Sequence, residues 1–262
     1  MKSRVITAII ILGVLLPIIY LSSLMFKIAA LVIVAIAVHE LLDVKKEKKY
    51  SIVTKGIVYL VNLMPLILID DFGQLSVAYV AIPMVVICLL MFIDKNVDFD
   101  DIGYLLIVSL FIIMASNGAL YLRNLDHGFS IVIFTILVTA ASDTGAFFTG
   151  NAIGKHKLIS RISPNKTIEG LLGGIILAGL VGIVYDLFLP TGFDNQMVVV
   201  AVSLTLGFTA ALGDLFFSAI KRANEVKDFS NMLPGHGGIL DRVDSHLMNL
   251  IVCFVIFVVL KG

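Results

Sequence analysis

The sequence predicts an all-α polytopic membrane protein with about nine transmembrane helices and a cytoplasmic N-terminus. Apolar residues make up 59% of the chain and its mean hydropathy is +1.05, well above the roughly 45–50% apolar content of soluble domains. These residues recur in blocks long enough to cross a bilayer, which takes roughly 17–25 residues per helix. Lys and Arg concentrate in alternate connections between the blocks, which indicates a fixed orientation.

The expected spans are centred near residues 13, 33, 60, 84, 112, 136, 180, 207 and 253. The first block follows Lys2 and Arg4 and resembles a signal peptide. No small-residue cleavage site follows it, and many similar segments come later, so we interpret it as the first transmembrane helix.

The basic residues predict which connections face the cytoplasm. If the N-terminus is inside, only Lys27, Arg123 and Lys261 of the 19 Lys and Arg residues lie outside. The others are Lys2, Arg4, Lys45, Lys46, Lys48, Lys49, Lys55, Lys95, Lys155, Lys157, Arg161, Lys166, Lys221, Arg222, Lys227 and Arg242. This asymmetry places two long polar connections, 143–168 and 221–244, on the same cytoplasmic face.

Small residues recur every four positions beside these connections. They are Ala146, Gly150 and Gly154 in one stretch and Gly170, Gly174, Ala178 and Gly182 in another. Such stripes let membrane helices approach closely, so we expect them to pack the helices together without contacting substrate.

Four aspartates lie within or beside apolar blocks, where ionisable groups are costly and are functional candidates. Asp143 follows an apolar run, and Asp214 has apolar neighbours on both sides. Asp241 and Asp244 precede the last span, three residues apart and therefore on one helical face. Helix capping explains Asp214 poorly, but for Asp241 or Asp244 taken singly it competes evenly with a functional role.

Carboxylates without a Cys or His cluster suit a hard cation such as Mg²⁺, which proteins hold with one or two carboxylates plus substrate phosphates. Basic residues on the same face would neutralise phosphate charge; they are Lys155, Lys166, Lys221, Arg222, Lys227 and Arg242. Ser218, Lys221 and Arg222 share a helical face with Asp214. This combination indicates phosphoryl or nucleotidyl transfer, where the protein mainly positions groups and stabilises charge.

The segment 233–238 (LPGHGG) is a glycine-rich loop before a helix start, and its backbone amides are suited to approach a phosphate. Pro-Gly and Gly-Gly also mark ordinary turns, so alone this signal is weak. It is not a Walker loop. His236 is either an acid–base group or a turn residue bonded within its own loop.

Several segments together resemble the signature of the phosphatidate cytidylyltransferase (CDP-diacylglycerol synthase) family. They are 218–222 (SAIKR), 226–230 (VKDFS), 233–244 (LPGHGGILDRVD), 142–146 (SDTGA) and 163–170 (SPNKTIEG). The resemblance is dense over the C-terminal half, whereas the N-terminal half agrees only in hydropathy.

The resemblance implies a Mg²⁺-dependent reaction of CTP with phosphatidate to give CDP-diacylglycerol and pyrophosphate. It implies metal ligands at Asp214 and Asp241, with Asp143 and Asp244 as further ligands or supports of a second cation. It also implies phosphate contacts from Lys166 and Arg242. The remaining expected substrate-binding residues are Lys221, Arg222, Lys227, Asp228, Gly235, His236, Gly237 and Gly238.

The same resemblance implies a homodimer, which we expect in the bacterial cytoplasmic membrane without a nucleic-acid partner. The asymmetry of the basic residues predicts a cytoplasmic active site. We expect one integral membrane domain over residues 1–262. Within it, 1–140 would supply spans for lipid access or dimer contact, and 141–262 the catalytic part.

A transporter is the main alternative, because it too combines many spans with intramembrane carboxylates. His39 and Glu40 fit a transport pathway best, although a capped helix end explains them equally well. We expect five further acidic residues to be solvated loop charges: Asp70, Asp71, Asp98, Asp100 and Asp101. A CDP-alcohol phosphotransferase is disfavoured because its motif of spaced aspartates is missing.

Overall fold

The computed structural model describes Pro17, Tyr20 and residues 22–45, 48–68, 78–232 and 237–261. The first expected span, near residue 13, lies outside these ranges, as do Asp70 and Asp71.

Helices dominate the described residues. They are α1 (Ser23–Asp43), α2 (Ile52–Leu68), α3 (Ala78–Ile93), α4 (Phe99–Asn124), α5 (Gly128–Ile153), α6 (Ile168–Phe188), α7 (Gln196–Ala223) and α8 (Leu240–Lys261). Six of them are long and apolar enough to cross a membrane, while α2 and α3 are shorter apolar helices. The prediction of an all-α polytopic membrane protein is confirmed; the count of nine spans and the cytoplasmic N-terminus stay predictions.

Two compact units emerge from the contacts within the chain. The first comprises Met1–Leu120 with Asp228–Arg242, and the second comprises Tyr121–Lys227 with Val243–Gly262. The polar segment before α8 therefore groups with the N-terminal helices. The expected division at residue 140 stays a prediction.

The first unit contains an N-terminal acidic cluster, formed by Asp94, Asp98 and Asp101 with Lys45 and Lys48. Asp101 is fully buried and forms ion pairs with Lys45 at 2.6 Å and Lys48 at 2.9 Å. It also exchanges bonds with Asp98: the Asp101 amide donates to Oδ1 of Asp98, and the Asp98 amide donates to Oδ2 of Asp101. This reciprocal cap starts α4.

The prediction that Asp101 is a solvated loop charge is therefore wrong. Its carboxylate points inward because the first turn of α4 and two lysines supply the partners that water would otherwise provide. Asp98 keeps a half-exposed side chain that pairs with Lys48, and Asp100 is exposed as expected.

In the second unit, α5 and α6 pack through their small residues. A side-chain carbon added at Gly170 would lie 2.8 Å from the Ala146 carbonyl, and one added at Gly174 would lie 2.7 Å from the Ser142 carbonyl. Backbone approaches this close require glycine. The prediction that these stripes serve packing is confirmed.

The connection expected over 143–168 is shorter than predicted. Residues 143–153 continue α5, and the remainder forms a hairpin of β1 (Lys157–Ile159) and antiparallel β2 (Ser163–Thr167). Thr167 then begins α6 by accepting a hydrogen bond from the Gly170 amide. The second connection is shortened similarly, because α7 extends to Ala223 and α8 begins at Leu240.

Candidate functional site

Helices α5, α7 and α8 each contribute one aspartate to a group that we call the helical carboxylates: Asp143, Asp214 and Asp244. Each of Asp143 and Asp244 lies near enough to Asp214 for their negative charges to repel. Asp143 is exposed, Asp214 is partly exposed and Asp244 is buried. The second unit therefore gathers three carboxylates, one of them at its surface.

Buried hydrogen bonds fix the three helices that carry these aspartates. The Asn249 amide of α8 donates to the Thr139 hydroxyl of α5 at 2.8 Å and to the Leu206 carbonyl of α7 at 2.9 Å. Its side-chain oxygen accepts from the Thr209 hydroxyl at 2.6 Å. In addition, the Ser142 hydroxyl donates to the Gly207 carbonyl at 2.8 Å, one residue before Asp143.

Gly213 brings α7 and α8 together beside two of the carboxylates. A side-chain carbon at this position would lie 2.8 Å from Cβ of Met248 and 3.0 Å from the carbonyl oxygen of Asp244. Only glycine lets the backbones approach this closely. Asp214, the next residue, is thereby held against the turn of α8 that carries Asp244.

Lys166 extends from β2 to Asp214. Its ammonium nitrogen lies 2.6 Å from Oδ2 of Asp214, and the Ser218 hydroxyl donates to Oδ1 at 3.2 Å. The ammonium is shielded from solvent and makes no well-directed hydrogen bond to any described residue. An ammonium has three N–H donors, so Lys166 keeps unused capacity for anionic oxygens.

The other expected cations of this unit differ in exposure. Lys221 is buried, and its positive charge attracts the Asp244 carboxylate. Arg222 is exposed and donates to the Val226 carbonyl at 2.8 Å, whereas Lys227 is exposed at the surface.

Ser245 contacts two of the helical carboxylates. Its amide donates to Oδ1 of Asp244 at 2.8 Å, and its hydroxyl donates to Oδ1 of Asp143 at 3.4 Å. Asp244 is the fifth residue of α8 and therefore not its N-cap. The capping interpretation of Asp244 is wrong.

The remaining expected residues belong to the first unit. Asp241 is buried in the first turn of α8, and its Oδ2 accepts from the amides of Phe229 at 2.8 Å and Gly238 at 2.9 Å. Gly237 has a φ of +79°, and a side-chain carbon there would lie 2.9 Å from the same oxygen. Asp241 thus holds the backbone of Phe229 and Gly238 through hydrogen bonds. Asp228 and Arg242 are exposed, and Gly235 and His236 lie outside the described residues.

Sequence reasoning missed the role of Glu40 in this unit. The side chain is 1% exposed, and its carboxylate accepts hydrogen bonds from the Ser230 hydroxyl and from the amides of Ile239 and Leu240. These contacts support neither the pathway interpretation of Glu40 nor a cap at the end of its own helix, because the carboxylate caps the start of α8 instead.

The donor set of the second unit suits magnesium. Carboxylate oxygens are the ligands that Mg²⁺ prefers, and a cation beside Asp214 would offset its repulsion with Asp143 and Asp244. Among the described residues, no group of three or more His, Cys, Asp and Glu side chains is arranged to hold a metal ion by itself. Mg²⁺ does not require one, because substrate phosphates and water complete its shell.

Comparison with known proteins places this geometry in context. A model of the cytidylyltransferase family matches residues 2–260. A phosphatidate cytidylyltransferase of Bacillus subtilis is 33% identical over 258 residues, which cover 94% of each chain. Proteins of the same name from Staphylococcus epidermidis and Staphylococcus aureus are 35% identical over 257 residues and 34% identical over 256, each covering 95% of this chain and 96% of the relative.

Proposed function

Because the chain belongs to the cytidylyltransferase family, we propose that it transfers the cytidylyl group of CTP to phosphatidate, forming CDP-diacylglycerol and pyrophosphate. The observation that carries this proposal is the ion pair of Lys166 with Asp214, set among the helical carboxylates. The relatives named above supply the substrate pair, since each is a phosphatidate cytidylyltransferase.

The reaction needs little covalent help from the protein. An oxygen of the phosphatidate phosphate attacks the α-phosphorus of CTP, and the bond from that phosphorus to the oxygen bridging the β-phosphate breaks. The electron pair leaves with pyrophosphate. The attacking phosphate is already anionic near pH 7, so no strong general base is required, and the main barrier is repulsion between two anions.

Lys166 and Lys221 are placed to reduce that repulsion. Lys166 contacts a single carboxylate oxygen and has N–H groups left for phosphate oxygens. Lys221 neutralises charge inside the protein beside Asp244. We assign phosphate contact to Lys166 and charge balance to Lys221. Arg222, Lys227 and Arg242 are proposed as outer phosphate contacts.

We propose Asp214 as the principal Mg²⁺ ligand, with Asp143 and Asp244 as the residues that complete or support the site. When bound, the metal supplies charge neutralisation for the phosphates and the leaving pyrophosphate. From the sequence we also propose that Asp241 is a metal ligand and that a second cation binds. The sequence further suggests substrate contacts from Asp228, Gly235, Gly237 and Gly238.

The setting of the reaction is also proposed. The acyl chains of phosphatidate remain in the bilayer while its head group meets CTP on the cytoplasmic side of a bacterial cell membrane. Multi-pass insertion with a cytoplasmic active site follows from the basic-residue asymmetry. A homodimer is implied by the family resemblance.

Turnover by the purified protein tests the proposed function. In detergent with phosphatidate, CTP should yield CDP-diacylglycerol and pyrophosphate when Mg²⁺ is present and not after EDTA treatment. Replacing CTP by ATP should abolish product. Ion flux through vesicles containing the protein, without any turnover, would refute the proposal and favour a transporter.

Site-directed labelling tests the proposed orientation. Arg161 lies exposed in the hairpin, so Arg161→Cys in a Cys88→Ser background offers one accessible thiol, since Cys253 is fully buried. An impermeant maleimide should label it in inverted vesicles and not in intact cells. Labelling of intact cells would place the hairpin outside and contradict the proposed location.

A further inference from the structure

We propose that Glu40, on α1, is a positioning residue that holds the chain just before and just after residues 233–236 and sets the start of α8. The inference deepens the proposed function, because the held segment contains the predicted metal ligand Asp241. All of the contacts involved lie within the first compact unit.

Helix α1 itself gives Glu40 no stabilising role. The residue lies in its last turn, where the helix dipole disfavours negative charge, and no basic residue accompanies it there. It is also 1% exposed, and removing a carboxylate from water is costly without hydrogen-bond donors. Its position is therefore explained by the partners that it meets elsewhere.

Those partners belong to the start of α8 and the segment before it. Oε1 accepts from the Ser230 hydroxyl at 2.7 Å and from the Ile239 amide at 2.8 Å, and Oε2 accepts from the Leu240 amide at 2.8 Å. The residue before α8, Ile239, has no side-chain acceptor with which to cap it. Glu40 supplies both the cap and the negative charge that a helix N-terminus favours.

Glu40 and Asp241 accept hydrogen bonds from adjacent residues of the same segments. On the N-terminal side of residues 233–236, the Phe229 amide donates to Asp241 and the Ser230 hydroxyl donates to Glu40. On the other side, the Gly238 amide bonds to Asp241 and the Ile239 amide bonds to Glu40. Both carboxylates therefore bind the chain before residue 233 and after residue 236, so movement of Glu40 would displace Asp241.

Gly238 is fitted to this arrangement. A side-chain carbon at Gly238 would lie 2.5 Å from Oε1 and 2.6 Å from Oε2 of Glu40. The three atoms nearest to the added carbon all belong to Glu40, so the Glu40 carboxylate is what excludes a side chain at Gly238. This contact predicts that the two positions depend on each other.

Amide hydrogen exchange of the detergent-solubilised full chain tests the proposal without relying on turnover. Glu40→Gln keeps the size but places an NH₂ group against backbone N–H donors. Exchange at Ile239 and Leu240 should accelerate at least about tenfold, while the amides of α4 are unchanged. The matched control is Asp43→Asn, an exposed acid one turn further along α1 that pairs with His39. Unchanged exchange in Glu40→Gln, or equal acceleration in Asp43→Asn, would overturn the proposal.

Kinetics separates positioning from general stabilisation. If the proposed function holds, Glu40→Gln should lower kcat roughly 10–100-fold with KM for CTP changed less than about threefold. Loss of affinity for CTP alone, or unaltered kcat with accelerated exchange, would contradict a positioning role. Absence of turnover in the wild type would instead refute the proposed function and leave the exchange result standing.

A second-site test covers the case in which Glu40→Gln fails to fold. Gly238→Ala should lower kcat about 100-fold, and Glu40→Asp, which withdraws the carboxylate by about 1.5 Å, about tenfold. Because the shorter side chain makes room for the added methyl group, the double variant should be more active than Gly238→Ala alone. Multiplicative losses in the double variant would show that the positions act independently and would overturn the proposal.

Discussion

The molecule contains two groups of three aspartates and two lysines, and their partners differ. The N-terminal acidic cluster consists of Asp94, Asp98, Asp101, Lys45 and Lys48. The helical carboxylates with their lysines are Asp143, Asp214, Asp244, Lys166 and Lys221. Composition alone does not distinguish the two groups.

In the N-terminal cluster, protein groups satisfy the carboxylates. Asp94 accepts from the Ser51 amide and the Thr54 hydroxyl, each at 2.7 Å, and from the Asn96 amide at 3.0 Å. The hydrogen bonds that Lys48 donates to Asp98 and to Asp101 raise the pKa of Lys48 well above its usual range. A group saturated in this way has a structural role.

The helical carboxylates are incompletely satisfied. Asp143 receives a 3.4 Å contact from Ser245, and Lys166 contacts one oxygen of Asp214 with no further described acceptor. Unmet capacity for cations and phosphates therefore separates a candidate active site from a structural cluster with the same residues.

The largest effect is expected for Asp214→Asn. Loss of the carboxylate removes the proposed metal ligand and the partner of Lys166, so kcat/KM should fall at least about 10³-fold, or about 4 kcal/mol. Steady-state formation of CDP-diacylglycerol measures it. The variant should still elute as a folded species, because Asp214 is partly exposed and its described polar contacts are limited to Lys166 and Ser218.

The matched control for Asp214→Asn is Asp98→Asn, which also has a lysine partner at 2.6 Å and a partly exposed side chain. Its activity should stay within about threefold of wild type. Equal loss in both variants would remove the distinction between the two groups.

Lys166→Met should lower kcat/KM about 100-fold, because the ammonium that meets the phosphates is lost while most of the aliphatic chain is kept. Lys48→Met removes an ammonium from the structural cluster and should leave activity within about threefold. Parallel CTP titrations of both variants measure the difference. Full activity of Lys166→Met would exclude its proposed contact with phosphate.

Asp101→Asn should affect stability instead of chemistry. The change leaves Lys45 and Lys48 without their buried partner. We expect the free energy of unfolding to fall by about 2 kcal/mol, a value limited by the partial exposure of both lysines. Thermal unfolding in detergent should show a lower Tm, with kcat per folded molecule unchanged. A lower kcat at an unchanged Tm would make this cluster functional and reverse our interpretation.

The sequence predicted those features that depend on neighbouring residues. The apolar blocks around α1–α8 and the small-residue stripe with Gly170 and Gly174 depend on local periodicity, and the structure contains both. The role of Glu40 was not predictable, because its partners Ile239 and Leu240 lie about 200 residues away. The inward direction of Asp101 likewise depends on Lys45, 56 residues earlier.

Local signals were also insufficient for the hairpin of β1 and β2. Its strands contain Lys, Ser, Pro and Asn without apolar alternation, so the segment resembled a polar connection. Yet this hairpin carries Lys166 to Asp214. The sequence identified both residues as site candidates, but the ion pair between them could be recognised only from the folded structure.

The smallest effect is expected from acid titration of Asp94. The Ser51 amide, followed by the Thr54 hydroxyl and the Asn96 amide, holds the pKa of this carboxyl well below its usual range. A lowered folded-state pKa contributes stability that is fully present above the unfolded value of about 4 and is lost as the pH falls below it. Between pH 6 and pH 3, the Tm of the wild type should fall about 2–4 °C further than that of Asp94→Asn. Asp100→Asn retains Asp94 and should follow the wild type through this part of the curve, because the exposed Asp100 side chain makes none of these bonds. Identical pH slopes for the wild type and Asp94→Asn would mean that the N-terminal cluster is no better satisfied than the helical carboxylates.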